Sequence, residues 1–537
     1  MQRKLIVINI LFLVFWSLFT TQAFTLEGDI PLHFVLPGFK EIPADKKIVV
    51  DPSRAANLPS IIENAPSGTT IFLKDGEYHV PRTIWLKTPG ITLRSLSGDR
   101  EKVVLTGDYK VGEILGVLAP DIIIADLTIK HAKYHAIHLG GNGHRVKMLN
   151  LHLLDCGEQL VKVNPSREGK HNDYGILAYS LLEFSDEGRS KILDPYGNGS
   201  CYTNGIDILK GRGWIIRNNI FKNIYCEPGR TLTPAILVWQ GARDTIIEKN
   251  KLINCPRGIQ LGLGWKNRRT YDDLDFTASH IGGIVRNNFI FVDADHPLDT
   301  GIGLWAAKGT LVLNNTVFYP KSAFASIDLR FSETEAVVWN NLLFQLPRLR
   351  EGARVDLQKN MVAQASWFVN PQEGDLHLKK YVPEVINRGK EHPLLKDDID
   401  GKERIGAPDI GADEFYGLAL KINQSQMPLK ITPSKQLDVV VSFYIQDSLF
   451  QEVFLWAETP VGRYCYLYPF GWNPCSDPLP SYQGLAYPGN YPVFSGHLSI
   501  PGLYQVKILA DKKINSSMDG SYLVTNQFFI SPEFENF

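Results

Sequence analysis

Five segments of the chain share one ending, two or three mostly apolar residues leading to Asn. They are Ile215-Ile216-Arg217-Asn218-Asn219, Ile246-Ile247-Glu248-Lys249-Asn250, Ile284-Val285-Arg286-Asn287-Asn288, Leu311-Val312-Leu313-Asn314-Asn315 and Val337-Val338-Trp339-Asn340-Asn341. Such a repeat constrains the fold more than length does, because each copy is a unit that must bury its apolar face against the next. The register extends back to Asn150, with Ser180 and Asp126 in the Asn slot of their own segments. Steps from 126 through 150, 180, 219, 250, 288, 315 and 341 are 24, 30, 39, 31, 38, 27 and 26 residues. Variable steps around a constant β-rich pattern suit a solenoid whose turns swell into loops. Short Val/Ile/Leu strands suit parallel sheets buried on their inner face, and stacked Asn side chains can hydrogen-bond along the axis at bends. Ordinary turn residues also favour Asn, but do not repeat it five times in one register. The expectation is an all-β chain, a single-stranded right-handed parallel β-helix followed by a small β-sandwich. One β-sandwich throughout is the competing fold.

The ends of the repeat carry a resemblance. Ala65-Pro66-Ser67-Gly68-Thr69-Thr70-Ile71-Phe72-Leu73-Lys74-Asp75-Gly76-Glu77-Tyr78 resembles the entry segment of pectin-lyase-like right-handed β-helix proteins. In that group a capping helix precedes the first coil, and Leu58 to Asn64 would supply it. Phe368-Val369-Asn370-Pro371, Gly374 to Leu378, Asp400-Gly401 and Asp409-Ile410-Gly411-Ala412-Asp413-Glu414-Phe415 resemble the closing element of many secreted β-helix proteins. The resemblance spans roughly residues 48–416 and implies a fold more than a function, since the superfamily includes lyases, hydrolases, epimerases and binding proteins. The expected division is signal peptide 1–23, lead-in 24–47, β-helix 48–345, closing segment 346–416 and C-terminal module 417–537. In that module, Leu437 to Tyr444, Val453 to Ala457 and Tyr504 to Leu509 alternate like antiparallel strands.

Met1-Gln2-Arg3-Lys4 is basic, Leu5 to Phe19 is almost wholly apolar, and Thr21-Gln22-Ala23 has small residues suited to cleavage. This predicts a signal peptide and a secreted or periplasmic protein with no stable membrane span. An uncleaved anchor is the alternative, although the run is shorter than the ~20 residues a spanning helix needs. Lys plus Arg (56) balances Asp plus Glu (57), so no global field draws nucleic acid. No GxGxxG or GxxxxGK[ST] lies in a strand–loop–helix context, which disfavours nucleotide chemistry. Cys156 and Cys201 each stand six residues before matching strand positions, so they are expected to bridge or stack. Cys465 and Cys475 bracket one loop and are expected to pair.

Strand alternation assigns two outward rows on one face. The first reads His138, Lys162, Asp207, Leu237, Gln260, Gly303, Asp328; the second reads Gly140, Asn164, Leu209, Trp239, Gly262, Trp305, Arg330. In the Trp239 coil the spacings to flanking landmarks disagree by one residue. Insertions at 165–175, 183–204 and 263–281 gather beside this face, the last carrying Trp265, Lys266, Arg268 and Arg269. Insertions collected on one face commonly wall a binding groove. Bland readings stand beside the functional one: Lys162 and Asp207 as a surface ion pair, His138 as a surface residue, Trp239 and Trp305 packed beneath loops.

Asp207 and Asp328 lie four coils apart, about 19 Å, too far for a glycosidase carboxylate pair. A lyase instead needs a base, an acid and a cation for the uronate carboxylate. Lys162 as base, His138 as acid and Asp207 beside them form the expected catalytic set. Trp239, Gln260, Trp265, Lys266, Arg268, Arg269, Trp305, Asp328 and Arg330 form the expected sugar-binding set. No cofactor is demanded; Ca²⁺ is left open, although no dense aspartate run marks a site, and Asp397, Asp398 and Asp400 read as a solvated turn. The expected function is β-elimination of an acidic polysaccharide, the alternative a non-catalytic glycan-binding or cell-surface protein.

Overall fold

The computed structural model describes residues 36, 39–228, 230, 232–263, 278–404 and 406–415. It also describes 417–422, 429–431, 437–444, 452–467, 471–478, 480–483, 489–496, 502–511 and 522–530. The predicted signal peptide and the Trp265, Lys266, Arg268 and Arg269 loop lie outside these residues. Among them, no helix is long and apolar enough to cross a membrane. The helix Leu58–Glu63 buries Leu58 and Ile62, as the entry segment requires.

Beyond it the chain winds into three long parallel sheets, each coil adding one strand to each. One sheet runs from Lys47–Val50 to Arg354–Gln358, the next from Gly76–His79 to Met361–Val362, and the third from Ile84–Leu86 to Arg348–Arg350. Crossovers between parallel strands wind right-handed, so this is the predicted right-handed parallel β-helix. Its interior is stacked aliphatic side chains, among them Ile137, Val161, Ile206, Ile236, Ile259, Ile302 and Ile327, all fully buried.

The Asn column forms as expected, and its hydrogen bonds are closed. Asn219 Nδ2 donates to Asn250 Oδ1 at 3.0 Å, Asn250 to Asn288 at 3.0 Å, Asn288 to Asn315 at 2.9 Å and Asn315 to Asn341 at 3.0 Å. The column ends on Asn360 Oδ1, 2.8 Å from Asn341 Nδ2. Each of these five Nδ2 groups also donates to a backbone carbonyl of the preceding coil. The residue before each ladder Asn is left-handed: Asn218, Lys249, Asn287, Asn314 and Asn340 have φ of 50–58°. An Asn-Asn pair therefore does two jobs, the first turning the chain and the second bonding along the axis.

The strand pairing corrects the early part of the repeat by one residue. Leu149 pairs with Ala178 and Ala178 with Arg217, so Ser180 aligns with Asn219 while Asn150 and Asp126 align with Asn218. Asp126 and Asn150 have φ of 58° and 50°, so they hold the left-handed slot, not the ladder slot. Both slots tolerate Asn, and this degeneracy produces the slip.

Residues 363–415 fold back onto the second sheet, where Trp367, Phe368, Leu376 and Ile410 join Phe289, Phe291 and Phe318 in a second apolar cluster. The solvated turn expected at Asp397, Asp398 and Asp400 is corrected at Asp398, while Asp400 is exposed. Asp398 is fully buried and accepts from the Asp400, Lys402 and Glu414 amides, and Asp397 pairs with Lys249 at 2.5 Å. His377 lies 2.5 Å from Asp375 Oδ1 and 3.3 Å from Asp400 Oδ2. Burial opposes protonation of His377, but Asp400, Asp413 and Asp375 outweigh it and hold its pKa at about 9.

The C-terminal strands form two further sheets, mainly antiparallel, as the alternation predicts. Cys465 and Cys475 are bonded there, with Cα atoms 5.8 Å apart. The expected pairing of Cys156 with Cys201 does not form: Cys201 bonds to Cys226, Cα atoms 5.7 Å apart, and Cys156 is a buried free thiol. Equal offsets misled, because counting back from Lys162 follows the coil wall into the core, whereas counting back from Asp207 enters the 183–204 insertion.

Asn288→Ala strips the ladder of a fully buried amide and leaves neighbouring donors and acceptors unmet, at about 1–3 kcal/mol for each orphaned group. Urea unfolding should show a loss of a few kcal/mol, far above that of an exposed Asn→Ala change. Digestion without reduction should release a Cys201–Cys226 peptide, and thiol titration should count Cys156 and Cys255 only after unfolding. Because folded His377 binds its proton more tightly than an ordinary His, its contribution is complete below about pH 6.5 and is lost as pH rises through 9. The melting temperature should fall between pH 7 and pH 9.5, and His377→Gln should flatten that slope.

Candidate functional site

The third sheet carries the outward rows in the expected register. His138 pairs with Lys162, Lys162 with Asp207, and the row continues through Leu237, Gln260, Gly303 and Asp328. Leu209 pairs with Trp239 and Trp305 with Arg330, which settles the Trp239 coil.

Pointing outward does not leave these residues exposed. Lys162 and Asp207 are only 5% and 2% exposed, which corrects the reading of them as a surface ion pair. The 183–204 insertion covers them. Lys162 Nζ donates to Asp207 Oδ2 and, at 3.3 Å, to the Tyr202 hydroxyl, and it sits 5.3 Å from the Tyr202 ring centroid. Trp239 Nε1 donates to Asp207 Oδ1 at 2.9 Å. The Cys201–Cys226 disulfide pins this cover beside Tyr202, and Arg230 donates to the Leu193 and Ser200 carbonyls. Burial alone would lower the pKa of Lys162, but Asp207 and Tyr202 outweigh it and raise the pKa above the usual lysine value. Removing one partner of such a buried pair costs about 3–5 kcal/mol, because the other charge is stranded.

Beside the pair, at the bend entering the sheet, lies a group that alternation does not reveal. Glu113 opens the strand Glu113–Val117, His135 opens His135–Leu139, and the two are directly paired. His138 Nδ1 lies 3.4 Å from Glu113 Oε1, and its Nε2 lies 3.2 Å from Asn164 Nδ2. His135 is buried, with Nδ1 3.1 Å from the Gln159 carbonyl and Nε2 3.7 Å from Glu158 Oε2. Burial, reinforced by His138 and Lys162, pushes the His135 pKa down to about 3, so its ring is neutral at pH 7. Burial raises the Glu158 pKa above the usual carboxylate value, while the hydrogen bond with His138 holds that of Glu113 below it. Glu113, His135 and His138 each bring one ligand-type atom within 4.8 Å of the others, as do His377, Asp400 and Asp413 in the closing segment.

The remaining predicted residues do not join this cluster. Gln260 is fully buried and donates to the Gly262 carbonyl at 2.8 Å, over Gly303, where a Cβ would fall 2.1 Å from Gln260 Oε1. Asp328 is fully buried in a two-pronged pair with Arg350 at 2.8 and 2.7 Å, and accepts from Trp305 Nε1 at 2.7 Å. Arg257 and Arg330 lie 5.3 and 5.2 Å from the Trp305 ring centroid, and Arg330 also pairs with Glu351 at 2.8 Å. Asp328, Arg350, Trp305, Arg257, Arg330 and Glu351 form a second, internally paired cluster, centred four coils from Asp207.

Glu113, His135, Glu158 and Tyr202 were missed by the outward-row reading. The first three sit at bends where period-2 alternation lapses, and Tyr202 lies in an insertion. Three coils of backbone laid side by side would have shown Glu113, His135 and Gln159 in one column.

No sequence-family profile and no curated protein matches the chain. Among solved structures it is similar to pectate lyase Pel9A, at 15% identity and TM-score 0.41, over 68% of this chain and 96% of that one. It is also similar to alginate lyase AlyF-OU02, at 11% identity and TM-score 0.31, over 56% of this chain and 72% of that one. A third likeness is to the catalytic domain of a GH87 alpha-1,3-glucanase, at 12% identity and TM-score 0.23, over 62% of this chain and 70% of that one. By its three parallel sheets and its coil-by-coil register, this chain is in fold a parallel β-helix.

Proposed function

We propose that the protein is an exported carbohydrate-active enzyme whose third-sheet face binds an acidic polysaccharide and cleaves it by β-elimination. The observation that carries this reading is the buried Lys162 ammonium, which donates to Asp207 and to the Tyr202 hydroxyl. An ammonium with its protons so engaged does not accept another, so the basic role first expected of Lys162 passes to Tyr202. Lys162 then stabilises the Tyr202 phenolate. Tyr202 takes the proton from the carbon beside the uronate carboxylate, and the released electron pair forms the C=C bond. The glycosidic C–O bond breaks, and the leaving oxygen recovers the proton from Tyr202, restoring the enzyme. Trp239, its Nε1 anchored on Asp207, offers a ring to an adjacent sugar. His138, expected as the acid, belongs instead to the corner with Glu113 and Asn164. Lys266, Arg268 and Arg269 remain anion-holding groups in this proposal, with Trp265 beside them. Two disulfides suit an oxidising compartment, in keeping with removal of residues 1–23 as a signal peptide.

A non-catalytic glycan-binding role is the second reading. It is favoured by the saturation of Lys162, Trp305 and Arg330 by partners within the chain.

Incubation with a panel of uronate polysaccharides should generate the absorbance of an unsaturated product. Tyr202→Phe keeps the ring over Lys162 and should lower kcat by about 10²–10⁴-fold with glycan affinity retained. Binding across the panel without unsaturated product would establish the second reading.

A further inference from the structure

The corner beside Lys162 presents an unusual combination: two imidazoles and two carboxylates in a partly buried recess, with the Lys162 cation already committed to Asp207. We propose that Glu113, His135 and His138 form a binding site for a divalent transition-metal ion of the zinc type, with Glu158 at its edge.

The geometry is that of ligands awaiting an ion. The Gln159 carbonyl can only accept, so His135 Nδ1 carries the ring proton and Nε2 presents a bare lone pair. That lone pair faces carboxylate oxygens, which offer it no proton when ionised. At His138, Nδ1 faces Glu113 and Nε2 faces the Asn164 side-chain amide. Without an ion Nδ1–H donates to Glu113 and Asn164 Nδ2 to Nε2; the oxygen and nitrogen of that amide are interchangeable by a flip, after which Asn164 accepts from Nε2–H and Nδ1 is freed for a metal ion. Each imidazole thus has the outer hydrogen-bond partner that orients metal-binding histidines.

Metal–ligand bonds of about 2.0–2.1 Å in a tetrahedron put ligand atoms about 3.3–3.4 Å apart. His138 Nδ1 and Glu113 Oε1 are 3.4 Å apart, and all three ligand atoms fall within 4.8 Å. Both Glu113 and His138 are partly exposed, with side-chain accessibilities of 23% and 22%, so small rotations complete the set. The supporting backbone is rigid, since Glu113 and His135 are paired in adjacent strands. Two nitrogen donors select zinc-type ions over Ca²⁺, which takes six to eight oxygens. The closing-segment cluster of His377, Asp400 and Asp413 differs, because Lys402 Nζ lies 3.0 Å from Asp400 Oδ2 and supplies its cation.

Three protein ligands leave a coordination position open to a ligand oxygen, and its natural occupant is a carboxylate or similar anion. That last step rests on the proposed function: without a cation, a uronate group would meet Glu113 and Glu158 as like charges. Metal binding itself does not depend on that reading.

The test is calorimetric titration of the chelator-stripped full-length protein with ZnCl₂, with no polysaccharide present. One Zn²⁺ per chain is expected, with CaCl₂ unable to displace it. His138→Ala and Glu113→Gln, both at partly exposed positions, should each weaken Zn²⁺ binding by more than about 10–100-fold while circular dichroism stays unchanged. Absence of Zn²⁺ binding by the parent, binding unchanged in both variants, or displacement by equimolar Ca²⁺ would each overturn the site. Zn²⁺ binding lost in the variants, in a protein that cleaves no uronate polymer, would uphold the site and remove the lyase reading.

Discussion

The coils from Asn219 to Asn360 depend on satisfying a buried amide at the bend between the first and second sheets. A parallel coil turns sharply between its first and second sheets, and the turn leaves backbone and side-chain polar groups inside the wall, away from water. The Asn ladder answers this with side chains that accept from the preceding coil and donate both to the next coil and to the one before. Because each ladder Asn bonds to the coils on either side, no coil is satisfied alone, and the array holds only as a stack. The preceding left-handed residue brings each Asn to the axis, so local backbone geometry and long-range bonding are set by neighbouring positions.

A fixed stack of coils makes the outer face of the third sheet a ruler, on which residues from distant sequence positions stand at strand spacing. Lys162 and Asp207 are 45 residues apart in the chain and adjacent in space. The ruler alone places charges; the insertions decide their surroundings. With Tyr202 laid over Lys162 and held by the Cys201–Cys226 bond, two residues that face water in a bare β-helix become a buried ion pair. Desolvation makes that pair expensive to break and strengthens its field on whatever lies alongside.

The same logic separates the two polar clusters on this face. Around Asp328, the charges and the Trp305 indole meet partners from their own or neighbouring coils, and the result is a closed network. Around Lys162 the network is closed on one side only. At the adjacent bend, the His135 ring and the Glu113 and Glu158 carboxylates converge beside it.

The sequence by itself determined the architecture. The Asn-Asn pairs announce where each coil turns, and alternation after each turn correctly names Lys162, Asp207, Gln260 and Asp328 as one outward row, because strand periodicity is a local property. It also paired Cys465 with Cys475, which flank one short loop. Alternation did not reveal Glu113, His135 and Glu158, since the strand period lapses at bends, nor Tyr202, since an insertion has no register. It placed Asn150 and Asp126 one slot off, because the left-handed and ladder positions accept the same residue. Only the tertiary structure decided that outward charges are covered, that Cys201 meets Cys226 and not Cys156, and that two histidines three residues apart share a corner with Glu113. Those outcomes depend on the path of loops across neighbouring coils, where contact is set by packing and not by spacing along the chain.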